Sequence, residues 1–246
     1  MKQKPKIVVV GSGIIGASIA LSCLNLGADV LVLEQDKLGG AASSNSFGWI
    51  NASFAESPAY FDLRNAAVDT FRNLKTELNL KDSVSWQGTL WWEESGQKLK
   101  TQFNDLLDRG YSAKLLNSNE IKNLEPNLKD VPEAAIFTPL EGAAEADRVA
   151  LAMLRKLTDE GGKVISGCTV EGLKFKKDRV SGAQTNIGEM SCDMVVLATG
   201  AAAEKGLLGC EWQLPMQNKK GLIVQTSPVA HLIKHVLMTN DVHFKQ

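Results

Sequence analysis

The chain has 246 residues, 27 basic against 28 acidic side chains, a formal net charge of −1 and 44% hydrophobic residues. A chain this long buries roughly 70–75% of the surface its unfolded form exposes, so it needs neither disulfides nor a metal to hold a core. The composition excludes a disordered chain, and the balanced charge excludes the basic surface that a nucleic-acid partner requires.

Lys2 to Lys6 are basic and Ile7 to Leu26 carry no charge, but glycines and serines break the run, so no transmembrane segment or signal peptide is expected. The run reads instead as strand, turn and helix. Ile7-Val8-Val9-Val10 is short and β-branched, as in a buried parallel strand. Ile14 to Leu26 follows as a helix with Ile15, Ile19 and Leu24 at helical spacing, closed by Gly27. Val30 to Leu33 form a second strand ending in Glu34. Gly39 to Ser46 are small and polar, a loop whose backbone can approach a ligand closely.

Ser57-Pro58 predicts an N-cap and first helical residue, with Tyr60, Leu63, Ala67, Phe71, Leu74 and Leu78 as the apolar stripe. Trp86, Leu90, Trp91 and Trp92 suggest a strand in which adjacent Trp91 and Trp92 face opposite sides, one of them in the core. Leu99, Phe103, Leu106 and Leu107 mark a further helix. Ser118 opens a short one ended by Pro126, and Asp147 caps another that runs to Gly161-Gly162 with Val149, Leu154 and Leu157 inward. Short strands then follow around a Lys177-Asp178 turn, the last of them a single run from Met190 to Leu197 that leads into Ala198-Thr199-Gly200.

The chemistry sits at Gly11-Ser12-Gly13-Ile14-Ile15-Gly16, which matches G-x-G-x-x-G between a strand and a helix. Gly11 permits the tight turn, Gly13 lets backbone reach a pyrophosphate, and Gly16 lets helix and strand pack closely. The helix N-terminus then offers free N–H groups to phosphates. Glu34 lies 23 residues beyond Gly11, where a carboxylate accepts hydrogen bonds from a ribose diol and repels a 2′-phosphate. The turn alone does not separate NAD from FAD.

Other constellations read more simply. Cys23, Cys168, Cys192 and Cys210 are scattered, as free thiols in a reducing, cytoplasmic setting are. His231 and His235 are four apart on a candidate helix without an H-E-x-x-H glutamate, so no metal site is expected. Glu141, Glu145 and Asp147 read as a loop and a helix cap rather than as an acid–base pair. Trp49 is the aromatic best placed to border a substrate cavity. No catalytic residue is identified.

The glycine turn, Glu34, the Ser43-Ser44-Asn45 loop, Leu140-Glu141-Gly142, Gly162 to Val170 and Asp193 to Gly200 together resemble the D-amino acid oxidase-like family of FAD-dependent amino-acid and amine oxidoreductases, which includes glycine oxidase, sarcosine oxidase and D-amino acid dehydrogenases. Pro215, Lys220-Gly221-Leu222 and Val242-His243-Phe244 look like the start of that family's substrate sheet, where a residue near His243 can approach the flavin. The resemblance implies an α/β fold: a Rossmann-like FAD-binding domain of the glutathione-reductase type (residues 1–51 and 141–210) with an inserted α+β substrate domain (52–140 and 211–246), incomplete at the C-terminus by truncation, gene splitting or an incomplete reading frame.

It further implies that FAD lies with its ADP end on Gly11–Gly16, Glu34 at the adenosine ribose, and the Val170 backbone at adenine, with Gln35 also among the cofactor-binding residues. Ala198, Thr199 and Gly200 would close over the cofactor, with Ser43, Ser44 and Asn45 at the pyrophosphate, ribityl chain or flavin. The implied reaction is oxidation of an amino acid or secondary amine to an imine. A partner chain supplying the missing C-terminal part is a second reading, in which this chain is a non-catalytic or split nucleotide-binding subunit. An NAD-dependent dehydrogenase is a third, disfavoured by the strand cluster and the Ala-Thr-Gly motif.

Overall fold

A computed structural model describes residues 3–205, 214–216 and 221–246; Cys210 and Lys220 lie outside them. In chain order the elements open with β1 (Lys6–Val10), α1 (Ile14–Asn25), β2 (Asp29–Glu34) and α2 (Ala41–Ser44). There follow β3 (Trp49–Ile50), α3 (Pro58–Glu77), β4 (Val84–Ser85), β5 (Thr89–Trp92), α4 (Gly96–Asp108), β6 (Lys114–Asn117), α5 (Ser118–Leu124), β7 (Ala134–Thr138) and β8 (Gly142–Ala144). The chain continues with α6 (Ala146–Asp159), β9 (Lys163–Ser166), β10 (Val170–Lys176), β11 (Arg179–Thr185), β12 (Gly188–Ser191) and β13 (Met194–Leu197), then β14 (Val236–Thr239) and β15 (His243–Phe244).

These elements fall into two units, Met1–Ser46 with Glu145–Ile223, and Phe47–Ala144 with Val224–Gln246. The division lies a few residues inside the boundaries expected at 51 and 141, because Trp49 and Ile50 of β3 pair with Ala143 and Gly142 of β8. That antiparallel contact ties both segments to the second unit.

The first unit is built on a parallel four-stranded sheet in the order β13-β1-β2-β9. Its central strand β1 is buried from Ile7 to Val10, with Val9 fully so, and pairs with β13 on one side and β2 on the other. Full burial of each such side chain stabilises by about 1.5–3 kcal/mol. Beside this sheet, β10, β11 and β12 form an antiparallel three-stranded sheet, and Val8, Leu33, Val170, Ala183 and Cys192 share one core. The run expected as one strand from Met190 to Leu197 is broken at Cys192-Asp193: β12 belongs to the antiparallel sheet and β13 to the parallel one. Asp193 N–H donates to the Lys6 carbonyl and its carboxylate accepts from the Lys6 N–H, which fixes the crossing point.

In the first unit one helix face and one helix cap differ from expectation. On α1 the buried positions are Gly16, Ala17, Ala20 and Leu21, and Ile15 is exposed. Small residues face inward because α1 packs against α6 as well as the sheet, and close packing favours the least bulky stripe. On α6 Val149, Leu154 and Leu157 are inward as expected, but Glu145 is the N-cap and Asp147 lies in the first turn, where a carboxylate still favours the helix dipole.

The second unit carries a five-stranded mixed sheet in the order β15-β14-β5-β7-β6 and a small three-stranded sheet, β3-β8-β4. Ser57 caps α3 by accepting from the Tyr60 N–H, with Pro58 at the first position. Phe61 and Val68 are its buried residues, whereas Tyr60, Leu63 and Ala67 of the expected stripe are exposed. Trp91 is the core tryptophan of β5, at 2% exposed, and Trp86 precedes the strand. Asn117, not Ser118, caps α5, through a capping box with Glu120. Residues 230–234 form no helix; His235 instead sits against buried Glu125, which accepts from the Lys234 and His235 N–H groups and lies 2.7 Å from His235 Nδ1.

Glu141 is the polar centre of this unit. It is fully buried, and its carboxylate accepts from the N–H groups of Ala52 and Ser53 and from the hydroxyls of Tyr111 and Thr138, at 2.9–3.2 Å. The network binds the loop after β3 to the end of β7. Burial, and then the facing Glu141 charge, raise the Tyr111 phenol above its ordinary range. The phenol therefore stays protonated in the folded state while the unfolded one ionises near pH 10.

Two outcomes follow. Glu141→Gln turns an amide NH2 toward groups that are themselves donors and costs about 1–3 kcal/mol, read as a lower midpoint in urea unfolding. The stability tied to the raised phenol is complete below about pH 10 and is lost as pH rises beyond it. Tyr111→Phe should flatten that alkaline limb in thermal unfolding followed across pH 8–11 (~pH 10 being the ordinary phenol value).

Candidate functional site: a glycine turn in the first unit

The turn between β1 and α1 is where backbone from three parts of the first unit comes closest. Gly11 sits at φ +104°, and a side chain there would strike the Ala198 carbonyl. Gly16 faces the Gly11 carbonyl and lies 3.3 Å from the Ala198 methyl at the position its own Cβ would take. Gly40, at φ +75°, leaves only 2.6 Å between a built Cβ and Gly13 Cα. Backbone closeness, rather than any side chain, makes this shape.

Polar bonds lock the turn. The Ser12 N–H and hydroxyl both donate to Glu34 Oε2, at 2.9 and 2.7 Å, and Ser12 Oγ accepts from the Gly39 N–H at 3.2 Å. Glu34 Oε1 takes the Asp36 N–H. Ser43 Oγ accepts from the Ile14 N–H at 3.0 Å and lies 3.3 Å from the Cβ position of Gly13. The first N–H groups of a helix have no intrahelical acceptor; on α1, among the described residues, only that of Ile14 is taken by a side chain, Gly13 caps without one, and the first turn holds no acid. The arrangement suits an anion: donors at the positive end of a helix, a glycine that leaves room, and no acidic residue in the first turn of α1 itself.

The structure thus brings together Gly11, Ser12, Gly13, Ile14, Gly16, Glu34, Ser43 and Ala198. Thr199 follows, its backbone N 3.6 Å from the Cβ position of Gly11, and Gly200 opens a 3-10 turn at φ +57°. Ile15 is on the exposed side of the same turn. Val170 packs its side chain into the core at the start of β10, two residues from Cys168, whose N–H donates to the Glu34 carbonyl at 2.9 Å. Three of the expected residues are occupied locally: Gln35 bonds Asp36, Ser44 bonds the Gly40 carbonyl and Asn45 the Ala41 carbonyl. The serine-rich loop is in fact the single helical turn α2, which aims Ser43 at the glycine turn and leaves Ser44 and Asn45 exposed.

Gly40 joins the site beyond the expected residues; its legible sign in the sequence is the Gly39-Gly40 pair before a polar turn, which suits positive φ. Glu141 reads from sequence as a loop residue, since an acid between Leu140 and Gly142 carries no local sign of its four donors. In the second unit, Trp49 donates its indole N–H to Thr89 Oγ1 at 2.8 Å, and His243 Nε2 lies 2.8 Å from Glu93 Oε1. Among the described residues no cluster of His, Cys, Asp or Glu suits a metal ion, and no helix is long and apolar enough to cross a membrane.

The chain is 24% identical to hydrogen cyanide synthase subunit HcnC of Pseudomonas aeruginosa, over all of its own length and 70% of that protein. It is 24% identical to sarcosine oxidase subunit beta of Rhodobacter capsulatus, over 98% of its length and 61% of the relative's. Among solved structures, L-proline dehydrogenase from P. horikoshii superposes with a TM-score of 0.81 at 23% identity, covering 97% of this chain and 65% of that one. The chain thus spans roughly two thirds of the proteins it matches. The family model described as "FAD dependent oxidoreductase" matches residues 6–244, a span that takes in the glycine turn, Glu34, Ser43 and Ala198 alike, and the chain belongs to this DAO family of FAD-dependent oxidoreductases.

Proposed function

We propose that the chain carries the ADP-binding half of the FAD site of an oxidoreductase that oxidises the C–N bond of an amino acid or secondary amine to an imine. The observation that carries this reading is the locked glycine turn, with open α1 donors beside Ser43 and with Glu34 held at the end of β2. Bound there, FAD supplies a two-electron acceptor for a hydride. The chain's own part is to hold it: the Gly13–Gly16 N–H groups and the Ser43 hydroxyl at the pyrophosphate, Glu34 at the adenosine ribose, the Val170 backbone at adenine, and Ala198 to Gly200 beside the ribose and pyrophosphate. Gln35, Ser44 and Asn45 remain candidates at the rim. The nicotinamide reading lapses with membership of an FAD-dependent family.

A second reading has a specific support. Two of the relatives are named as subunits, which favours a chain that works with a partner supplying further substrate-binding elements. The free thiols Cys168 and Cys192, both buried, suit a reducing cytoplasm.

The test is the visible spectrum of the purified chain with and without added FAD, with calorimetric titration of FAD, ADP and NAD. FAD and ADP are expected to bind and NAD not to compete; binding of neither FAD nor ADP overturns the proposal. Glu34→Ala removes a charged acceptor and should weaken ADP about 10- to 100-fold. Gly13→Glu, which sets bulk and negative charge where the phosphates would lie, should abolish binding while the far-ultraviolet circular dichroism is retained. If the chain is one part of a split enzyme, amine-dependent bleaching of the flavin appears only after its partner is added.

A further inference from the structure

Ser12 stands between the first two glycines of the turn and is fully buried. Its hydroxyl has one proton to give and lone pairs to offer. The proton goes to Glu34 Oε2 at 2.7 Å, and the oxygen accepts the Gly39 N–H at 3.2 Å. The Ser12 N–H reaches the same Oε2 at 2.9 Å. A carboxylate has about four acceptor sites, two on each oxygen, so Oε2 is full. Oε1 takes the Asp36 N–H at 3.0 Å. Among the described residues no other donor reaches it, which leaves one site open.

The three donors differ in how easily they leave. The Ser12 and Asp36 N–H groups belong to the backbone around the glycine turn and the end of β2. Glu34 itself is held there by pairing with Ser166 of β9 and by the Cys168 N–H, which its carbonyl accepts at 2.9 Å. Turning the carboxylate to free a second site would therefore break bonds that the fold keeps in place. The Ser12 hydroxyl proton alone can leave by rotation about a single bond. A ribose brings two neighbouring hydroxyl donors. One fills the open site of Oε1 and adds a bond to a charged acceptor. The other reaches Oε2 only by displacing the Ser12 proton, so it trades one charge-assisted O–H···O bond for another of the same kind and gains little.

We propose that Ser12 is a specificity-determining residue of the nucleotide site: its hydroxyl keeps the place of the second ribose hydroxyl on Glu34. The unaltered turn then reads one hydroxyl of the ribose and is nearly indifferent to the other. This inference rests on the reading of Glu34 at the adenosine ribose and deepens it. It carries a consequence opposite to that of an ordinary site residue, for deleting the Ser12 hydroxyl sharpens the recognition of ribose.

The test is calorimetric titration of the full chain with ADP, 2′-deoxy-ADP and 3′-deoxy-ADP, on the wild-type sequence and on Ser12→Ala. In the wild type one deoxy analogue should bind about tenfold more weakly than ADP and the other within about twofold of it. In Ser12→Ala the second analogue should also fall about tenfold behind ADP, because the ribose hydroxyl then fills an empty site rather than an occupied one. The quantity read is the ratio between ligands within one variant, so any general loosening of the turn through the lost Gly39 acceptor divides out. Ser12→Cys, similar in size and with only a weak S–H donor, should move the ratio the same way and serves where Ser12→Ala does not fold.

Ratios that neither variant changes show that the hydroxyl keeps no place on Glu34, and overturn the proposal. Discrimination that disappears in the variants means that Ser12 only steadies Glu34, and overturns it equally. A wild-type chain that binds no ADP refutes the nucleotide reading and this inference with it. One that binds ADP and both deoxy analogues alike refutes the placing of Glu34 at the ribose. One that prefers ADP by ratios independent of Ser12 refutes this inference alone.

Discussion

The first unit depends on one constraint: the backbone of residues 11–16 must pass within van der Waals contact of Ala198 on one side and Gly40 on the other. Any side chain at Gly11, Gly16 or Gly40 would overlap backbone atoms, so the crossing exists only because three positions lack a Cβ. From it the rest follows. β1 and β13 can run side by side and turn in the same place because the Ala198 N–H donates to the Val10 carbonyl at 2.8 Å. Helix α1 can lie on the sheet through Gly16, Ala17 and Ala20 because nothing bulky separates them. Beyond the Ile14 N–H, which Ser43 Oγ accepts, the N–H groups at its start lack a side-chain cap because the N-cap position is itself a glycine.

Much of this was legible before any coordinates, and for a physical reason. The turn is local: strand, glycines, helix and the acid after the next strand lie within 34 residues, so pattern and spacing carry them. Ser57-Pro58 at the start of α3 and the Val149, Leu154, Leu157 face of α6 were equally local and were read correctly. What was missed depends on partners far away in sequence. Ile15 looks like a core residue until α6 takes the other face of α1. The stretch from Met190 to Leu197 looks like one strand until two different sheets claim its halves. β14 is a short apolar run whose identity as a strand depends on parallel pairing with β5, about 147 residues earlier in the Val236–Thr89 register.

The second unit solves a related problem by another means. Its loops are held by buried carboxylates. Glu141 gathers four donors from residues 52 to 138, and Glu125, at 1% exposed, gathers the entry to β14 through two N–H groups and the His235 ring. A buried charge is costly unless its acceptor sites are filled, so each acid specifies the geometry of everything that bonds it. No local pattern announces such a residue: Glu141 and Glu125 look in sequence like any surface acid near a turn. Their role exists only once distant N–H and O–H groups have been delivered to them, so Glu141 reads from sequence as a loop residue and Glu125 carries no sign at all.

Glu34 combines the two devices. Its carboxylate offers about four acceptor sites, and three donors already use it: the Ser12 N–H, the Ser12 hydroxyl and the Asp36 N–H. The two N–H bonds are fixed by backbone, whereas the Ser12 hydroxyl can rotate. On the reading proposed above, a ribose diol with two hydroxyl donors would find one site open and one that Ser12 could vacate by rotating its hydroxyl, while Ser12 Oγ keeps the Gly39 N–H as a donor. The carboxylate that locks the turn would then also be the one that receives the nucleotide, with no movement of the glycine crossing on which the unit is built.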